Sequence, residues 1–287
     1  MYPPGGSGSP VETDFIFNPH GSGWQVDRVA LESACIDTAQ RAGVRSVRGV
    51  TVQSLSRVGS RWQLEVPDER LTSSWLIDAT GSGASIARSL GVRRFPIDRL
   101  VSVYMRAPRC GCDDPDSRTL IEATQSGWWY TALTPSGHRT IAFQTDVDLV
   151  RGAKWQSHEW FLIELQRTQC VQPLLLSNGY ESASSITLVS ARSCRLQQFC
   201  GSAWLAIGDA AMAFDPLSGQ GMLKAIEGGK LAAETLIAGS KGALRGYAEE
   251  MEDGWRIYLR NRRANYAAER RWSDSPFWSR RHSNTDV

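Results

Sequence analysis

The 287-residue chain lacks any long hydrophobic run, and nothing in it approaches the roughly 20 apolar residues that a membrane-spanning helix requires. Met1 to Pro10 is rich in glycine, serine and proline and lacks the charged and apolar regions of a secretion signal. Neither sign of charge dominates. The 32 basic and 30 acidic residues leave a net charge of +2, which gives no general drive toward nucleic acid or a membrane. The six cysteines (Cys35, Cys110, Cys112, Cys170, Cys194 and Cys200) are scattered, and Cys110-x-Cys112 has no second ligand pair at zinc spacing. Reduced thiols in a cytoplasmic protein are the expectation. His20, His138, His158 and His282 show no metal or triad spacing, and no internal repeat is present.

One further absence is local. A dinucleotide-binding sheet opens with a strand, G-x-G-x-x-G and a helix, followed by an acidic residue about 20 positions on. Gly5-Gly6-Ser7-Gly8 has no strand before it, and Gly81-Ser82-Gly83-Ala84-Ser85-Ile86 fails at the last glycine. The pyrophosphate cradle of such a domain is therefore largely missing.

What is present reads as α/β. The length suffices for one large domain or two. Val29 to Ala42 reads as a helix, with Leu31, Cys35 and Ala39 on one face and Gly43 at its end. Val44 to Val52 alternates as a strand. Trp62, Leu64 and Val66 alternate across a turn at Gly59-Ser60. Trp75 to Asp78 is a short apolar strand, and Ala84 to Leu90 a short helix closed by Gly91. After Pro96 come β-rich runs at Leu100 to Arg106, Thr119 to Thr124, Trp128 to Leu133 and Thr140 to Thr145, with a loop from Pro108 to Ser117 after the first. A helix at about Trp155 to Arg167 and a strand at Ser185 to Ser190 complete what reads as a largely antiparallel sheet. Two long helices close the chain, a small-residue one from Gly221 to Ala238 and an amphipathic one from Leu244 to Ala267.

The most informative stretch is Ala203 to Gly221. A short apolar run bounded by turn signals reads as a buried strand. Here it ends in Gly208-Asp209, then a loop with Pro216, Gly219 and Gly221 leads into the small-residue helix. An aspartate just past a strand either caps the turn or accepts hydrogen bonds from a ligand hydroxyl. Glycines beyond it let backbone amides approach a planar ring, and the helix aims its positive end at that ring. A flavin needs all three features. Asp209 is accordingly expected on the ribityl chain, with backbone amides from Leu217 through Gly219, Gln220 and Gly221 to Met222, beside Pro216, on the pyrimidine edge.

Gly208-Asp209-Ala210-Ala211 followed by Asp215-Pro216-Leu217-Ser218-Gly219-Gln220-Gly221 resembles the second FAD motif of flavoprotein monooxygenases. The similar groups are the tryptophan-halogenase-like proteins and the flavoprotein maturases that modify amine and amino-acid oxidases. Gly23-Trp24-Gln25-Val26-Asp27-Arg28 resembles the segment before the helix that follows the first FAD motif. Leu76-Ile77-Asp78-Ala79-Thr80-Gly81 resembles the Asp-Ala-Thr-Gly strand end. Gly127-Trp128-Trp129-Tyr130 and the tail from Glu269-Arg270-Arg271-Trp272 to Phe277-Trp278 resemble the maturase-like branch. The similarity runs from about Asp14 to His282.

The resemblance implies an incomplete glutathione-reductase-type FAD domain at 1–95 and 199–240, an inserted antiparallel substrate domain at 96–198, and a helical extension at 241–287. At least one βαβ unit, on the order of 30 residues, is expected to be missing from its start. The resemblance also places Arg28 near the diphosphate and ribityl region, the alternative being a solvated helix-start arginine. It puts Trp128 or Tyr130 in the substrate pocket, the alternative being an ordinary core strand. Asp78 to Gly81 reads equally as a strand-to-helix turn or a cofactor contact.

The function implied is FAD-dependent monooxygenation, in which a flavin C4a-hydroperoxide hydroxylates an aromatic substrate. That substrate is an aromatic small molecule or a tryptophan-containing polypeptide, and electrons come from a flavin reductase or NAD(P)H. The Trp-x-Trp-x-Ile-Pro motif of the halogenase branch is not matched by Gly127 to Leu133, which argues against halogenation. No general base can be assigned. The alternative is a truncated, inactive remnant or a partner-binding module without catalysis. Gly254 to His282 carries eight arginines against two acidic residues. That pattern suits a solvated helix face or a surface for an acidic partner protein better than nucleic acid.

Overall fold

The β-rich middle of the chain folds as one antiparallel sheet, as its β-rich runs predict. In the computed structural model the described residues are 23–108, 114, 116–150, 155–180 and 185–283. Met1 to Pro10, His20 and the Cys110-x-Cys112 pair lie outside them. The chain divides into two compact units, one of residues 1–42, 99–191 and 263–287, the other of residues 43–98 and 192–262.

In the first unit five strands run in the spatial order Thr187–Ser190, Leu100–Ala107, Arg139–Asp146, Gly127–Leu133 and Leu120–Thr124, each antiparallel to its neighbour. Alternation sends Val103, Met105, Trp129, Ile141 and Phe143 to one face, where Phe161 and Leu165 of the helix His158–Leu165 and Val171 and Leu175 of the helix Val171–Ser177 cover them. Trp129 stacks on Phe143 at 4.9 Å and meets the edge of Phe161 at 5.1 Å. Gly127 must be glycine, because a Cβ there would lie 2.1 Å from the Gln144 carbonyl oxygen. Glu122, buried in the edge strand, accepts the amides of Gln169, Cys170 (3.0 Å) and Val171 (2.9 Å). A carboxylate thus caps a helix whose own N-cap, Cys170, supplies no side-chain bond. The sequence reading had no signal for that helix, because its cap comes from a distant strand.

The C-terminal segment belongs to the same unit and packs on this sheet. Trp278 Nε1 donates to the Thr124 carbonyl at 2.8 Å, Trp128 Nε1 to the Tyr266 hydroxyl at 3.1 Å, and Arg281 to Asp146 at 2.8 Å. The helix Arg28–Arg41 starts where expected. Asp27 caps it by accepting the amides of Val29 and Ala30, and the helix buries none of its residues.

In the second unit Ser54–Val58, Arg61–Val66 and Glu69–Ser73 form an antiparallel sheet about the expected turn. Val44 to Val52 does not form the predicted strand. Val44, Val47, Val50 and Val52 are exposed, and no described strand pairs with them. Alternation alone does not make a strand, because a ladder partner must satisfy its backbone. Leu76–Asp78 runs parallel to Trp204–Ala206, with Asp78 opposite Ala206. Around this pair lies a core of Trp62, Leu76, Leu196, Phe199, Leu205, Ala210, Ala232 and Tyr247. The helix Gly221–Ala238 buries Gly228, Ala232 and Thr235 at helical spacing, and the helix Lys241–Ala267 buries Tyr247, Met251, Trp255 and Tyr258. No helix among the described residues is long and apolar enough to cross a membrane.

Candidate functional site

The site is built on the end of the strand Trp204–Ala206. Gly208 has φ +54°, a left-handed conformation that glycine adopts without steric cost, and it opens the short helix Gly208–Ala211. A Cβ on Gly208 would lie 3.5 Å from that of Ala225, and one on Gly228 would lie 3.7 Å from the Gly208 amide nitrogen. Small residues thus let the strand end press against the helix Gly221–Ala238. Ala210 and Ala211 are fully buried while Asp209, beside them, is exposed. Asp209 is therefore an exposed residue on a rigidly packed turn.

The loop that follows is ordered from within. Asp215 is 1% exposed, and its carboxylate accepts the amide of Leu217 at 2.9 Å. Pro216 pre-sets the single turn Pro216–Ser218, which closes through the Gly219 amide on the Pro216 carbonyl at 3.0 Å. Gly219 sits at φ +62°. Gln220 is the N-cap of the long helix but supplies no side-chain bond, and the first helical hydrogen bond is donated by Lys224 to the Gln220 carbonyl. The amides of Gly221, Met222 and Leu223 are the orphan donors of this helix start, whereas those of Leu217, Ser218 and Gly219, contrary to the expectation for Leu217 and Gly219, are already bonded to Asp215 and Pro216 inside the loop. A Cβ on Gly219 or Gly221 would meet nothing within 4 Å. Gln220, Gly221 and Met222 are exposed and Leu217 is half-buried. A planar ring has room to approach these donors.

Behind the loop lies a buried polar network that the sequence reading missed. The Tyr258 hydroxyl accepts the Asp215 amide at 2.9 Å and stands 2.6 Å from Ser193 Oγ. Phe214 stacks on the same tyrosine ring at 4.3 Å. Arg262, one turn further along, donates to Asp98 at 3.2 Å and pairs with Asp215 at 3.6 Å. Asp98 also accepts the Ser193 amide. The available signal was an arginine at 262 continuing the stripe of Trp255 and Tyr258, since a charge on an apolar stripe must find a buried partner. Burial pushes the Tyr258 phenol well above its ordinary pKa, so it remains a neutral hydroxyl.

Asp78 resolves as structural. It is fully buried, and its carboxylate accepts the Thr80 amide and hydroxyl and the Ala87 amide at 2.7 Å. Asp209 and the residues from Pro216 to Met222 thus lie together in the second unit. Arg28, Trp128 and Tyr130 belong to the first. Arg28 is exposed and pairs with Glu32 at 2.6 Å. Trp128 is buried and spends its indole donor on Tyr266. Tyr130, on the same sheet face, is half-buried, and burial raises its hydroxyl pKa. No cluster able to hold a metal occurs among the described residues.

The fold and motifs can be compared with known proteins. The chain is 26% identical over 290 aligned positions to a protein described as a FAD-dependent oxidoreductase, LodB, of Marinomonas mediterranea, covering 96% of this chain and 76% of that one. It is 24% identical to a flavin-dependent halogenase of Armillaria mellea, covering 84% of this chain and 50% of the relative. The flavin-dependent halogenase CmlS superposes with a TM-score of 0.77 at 22% identity, covering 92% of this chain and 51% of that one. The peptidyl tryptophan dihydroxylase QhpG gives 0.66 at 24%, covering 91% and 60%. This chain spans about half the length of CmlS and of the Armillaria halogenase. The likeness in structure shows a flavin-halogenase-type fold of mixed helices and sheets. The family model of tryptophan halogenases matches residues 9–286, and the chain belongs to the tryptophan halogenase family.

Proposed function

We propose that this chain is the flavin end of a FAD-dependent monooxygenase that hydroxylates an aromatic substrate, with a tryptophan side chain of a polypeptide as the favoured one. The observation that carries this reading is an exposed Asp209, on a turn packed against the helix Gly221–Ala238, in the same unit as that helix's start, where Gln220 supplies no side-chain cap. The residues fit the cofactor. A carboxylate is the acceptor that a ribityl hydroxyl needs, and open space before Gly219 and Gly221 admits a flat ring to the backbone amides. When bound, FAD would supply oxygen-activating redox chemistry that no side chain here provides.

The chain's own residues bind, orient and stabilise charge. Asp209 holds the polyol. The amides of Gly221 and Met222, rather than those of Leu217 to Gly219 that are spent within the loop, would donate to the pyrimidine edge, and the positive helix end would lower the energy of negative charge on the ring. Asp215 and Pro216 fix the loop so that these donors are aimed before the ligand arrives. Tyr130 is the pocket residue better suited to touch substrate, since Trp128 is already engaged by Tyr266. The polypeptide substrate is favoured by similarity to QhpG, described as a peptidyl tryptophan dihydroxylase, and the mismatch at Gly127 to Leu133 weighs against halogenation.

An absorbance spectrum of the purified chain after incubation with FAD and desalting tests the reading. A retained flavin spectrum, lost in Asp209→Ala, is the expected result. Colourless wild-type protein would overturn the cofactor assignment. Equal retention in the variant would overturn the role of Asp209.

A further inference from the structure

In the second unit the strand Leu76–Asp78 has a described neighbour on one side only. The order of its sheet is Cys200–Gly201, Trp204–Ala206, Leu76–Asp78. The Leu76 amide donates to the Ala203 carbonyl at 3.1 Å, and the Asp78 carbonyl accepts the Ile207 amide at 2.9 Å. Leu76 and Asp78 therefore spend their backbone on the inner neighbour. Ile77, between them, turns its amide and carbonyl to the other side, where no described strand lies. Its side chain is 43% exposed, although Leu205 opposite it in the ladder is fully buried. Strands paired in parallel are ordinarily covered on both faces, and an open edge is a template for another strand.

The helix Gly221–Ala238 shares the core of this sheet through Ala232, which belongs to one cluster with Leu76 and Leu205. A second apolar stripe of the helix is uncovered. Ile226, Ala233 and Ile237 recur at helical spacing and lie on one side. Ile226 is 59% exposed and Ile237 87%. The charged side chains of the helix are paired among themselves, Lys224 with Glu227 and Lys230 with Glu234. A helix that is apolar toward its core and again beside it has the pattern of one covered on two sides. Val44, Val47, Val50 and Val52, in the same unit, are exposed as well.

These surfaces select their occupant. A strand satisfies the outward amide and carbonyl of Ile77. A strand that arrives parallel continues through a crossover, which is usually a helix. The stripe from Ile226 to Ile237 is a seat for the apolar face of that helix. A second copy of this chain fits poorly, because a two-fold axis would set the same short edge antiparallel to itself. The relatives carry polypeptide beyond the shared part, since the match covers 76% of LodB and 51% of CmlS.

We propose that this face of the second unit takes up a strand and the helix that follows it from a separate polypeptide. The strand lies parallel to Leu76–Asp78, and the helix lies on Ile226, Ala233 and Ile237. The inference stands apart from the flavin reading, since it uses no residue assigned to the cofactor.

The probe is the longest stretch of LodB outside its match to this chain, fused to a carrier protein, with the carrier alone as control. Its binding to the full chain is measured by biolayer interferometry, and amide hydrogen exchange is followed by mass spectrometry. Saturable binding of the fusion and none of the carrier is expected. Exchange around Ile77 should slow on binding, which a contact through side chains alone would not produce. The Ile226→Lys/Ile237→Lys variant changes two exposed positions and is expected to keep its circular dichroism spectrum. It should bind at least about tenfold more weakly. No binding, an unchanged variant, or unaltered exchange at Ile77 overturns the proposal. So does a dimer of the chain alone, seen by light scattering and dissolved by the same two substitutions, which would make a second copy the occupant. FAD retention is read separately by absorbance. Colourless protein that still takes up the probe would overturn the flavin reading and leave this one standing.

Discussion

The Tyr258 hydroxyl accepts a hydrogen bond from the backbone amide of Asp215, so a side chain on the long helix fixes the first residue of the candidate flavin loop. Tyr258→Phe would leave that buried amide and the Ser193 hydroxyl without their partner. The expected loss is about 1–3 kcal/mol, the cost of unsatisfied buried polar groups. A thermal melt should show the drop, and FAD titration should show weaker retention. A variant that melts like wild type would refute the role of the hydroxyl.

Arg262 is buried between Asp98 and Asp215. Arg262→Met removes the cation and leaves two buried carboxylates facing each other. Breaking such a cluster from one side costs about 3–5 kcal/mol. The guanidinium-chloride midpoint should fall accordingly, and adding Asp215→Asn to the Met variant should restore part of the loss. If the double variant falls by the sum of the single changes, the two residues are not coupled.

In the first unit Arg139 and Asp114 form a fully buried ion pair at 2.7 Å, with the Tyr180 hydroxyl 2.8 Å from the same carboxylate oxygen. Burial tends to raise the Asp114 pKa, but hydrogen bonds from the Asp116 amide, Tyr180 and Arg139 prevail and hold it below its usual range. A folded pKa below the unfolded one stabilises the fold above about pH 3.9, and that contribution disappears as pH falls through the folded value. Asp114→Asn should therefore be less stable than wild type at neutral pH, and the gap should narrow on acidification. Melting temperatures measured down to about pH 2.5 check this. A gap that stays constant with pH would contradict the assignment.

The described cysteines differ sharply in accessibility. Cys35 is exposed on the helix Arg28–Arg41, whereas Cys194 is buried and Cys200 half-buried, and burial raises the pKa of both thiols. Iodoacetamide followed by peptide mapping should label Cys35 before the other described cysteines, with Cys194 protected until the protein unfolds. Early labelling of Cys194 would show that the Cys194–Leu196 strand opens in the native state.

Much of this was legible in the chain. The strand, Gly-Asp turn and glycine loop from Trp204 to Gly221 follow from local rules, because their conformations depend on nearby glycines and a proline. The β-rich runs between Leu100 and Thr145 predicted the sheet, because several short β-prone segments in succession pair with one another. What escaped notice depends on distant partners. Glu122 caps a helix nearly fifty positions away, and Tyr258 and Arg262 reach back to Ser193 and Asp98. No sequence window contains both halves of such a contact. The valines of Val44 to Val52 show the reverse case, a correct local rhythm with no described strand to complete it.

Two aspartates stand at the ends of neighbouring parallel strands. Asp78 is buried and accepts from three internal donors, and Asp209 is an exposed residue. The same amino acid thus serves as masonry in one place and as a handle in the other. Replacing each by asparagine should sort them by phenotype. The change at 78 should lower the yield of folded protein, and the change at 209 should leave yield intact while blunting ligand capture.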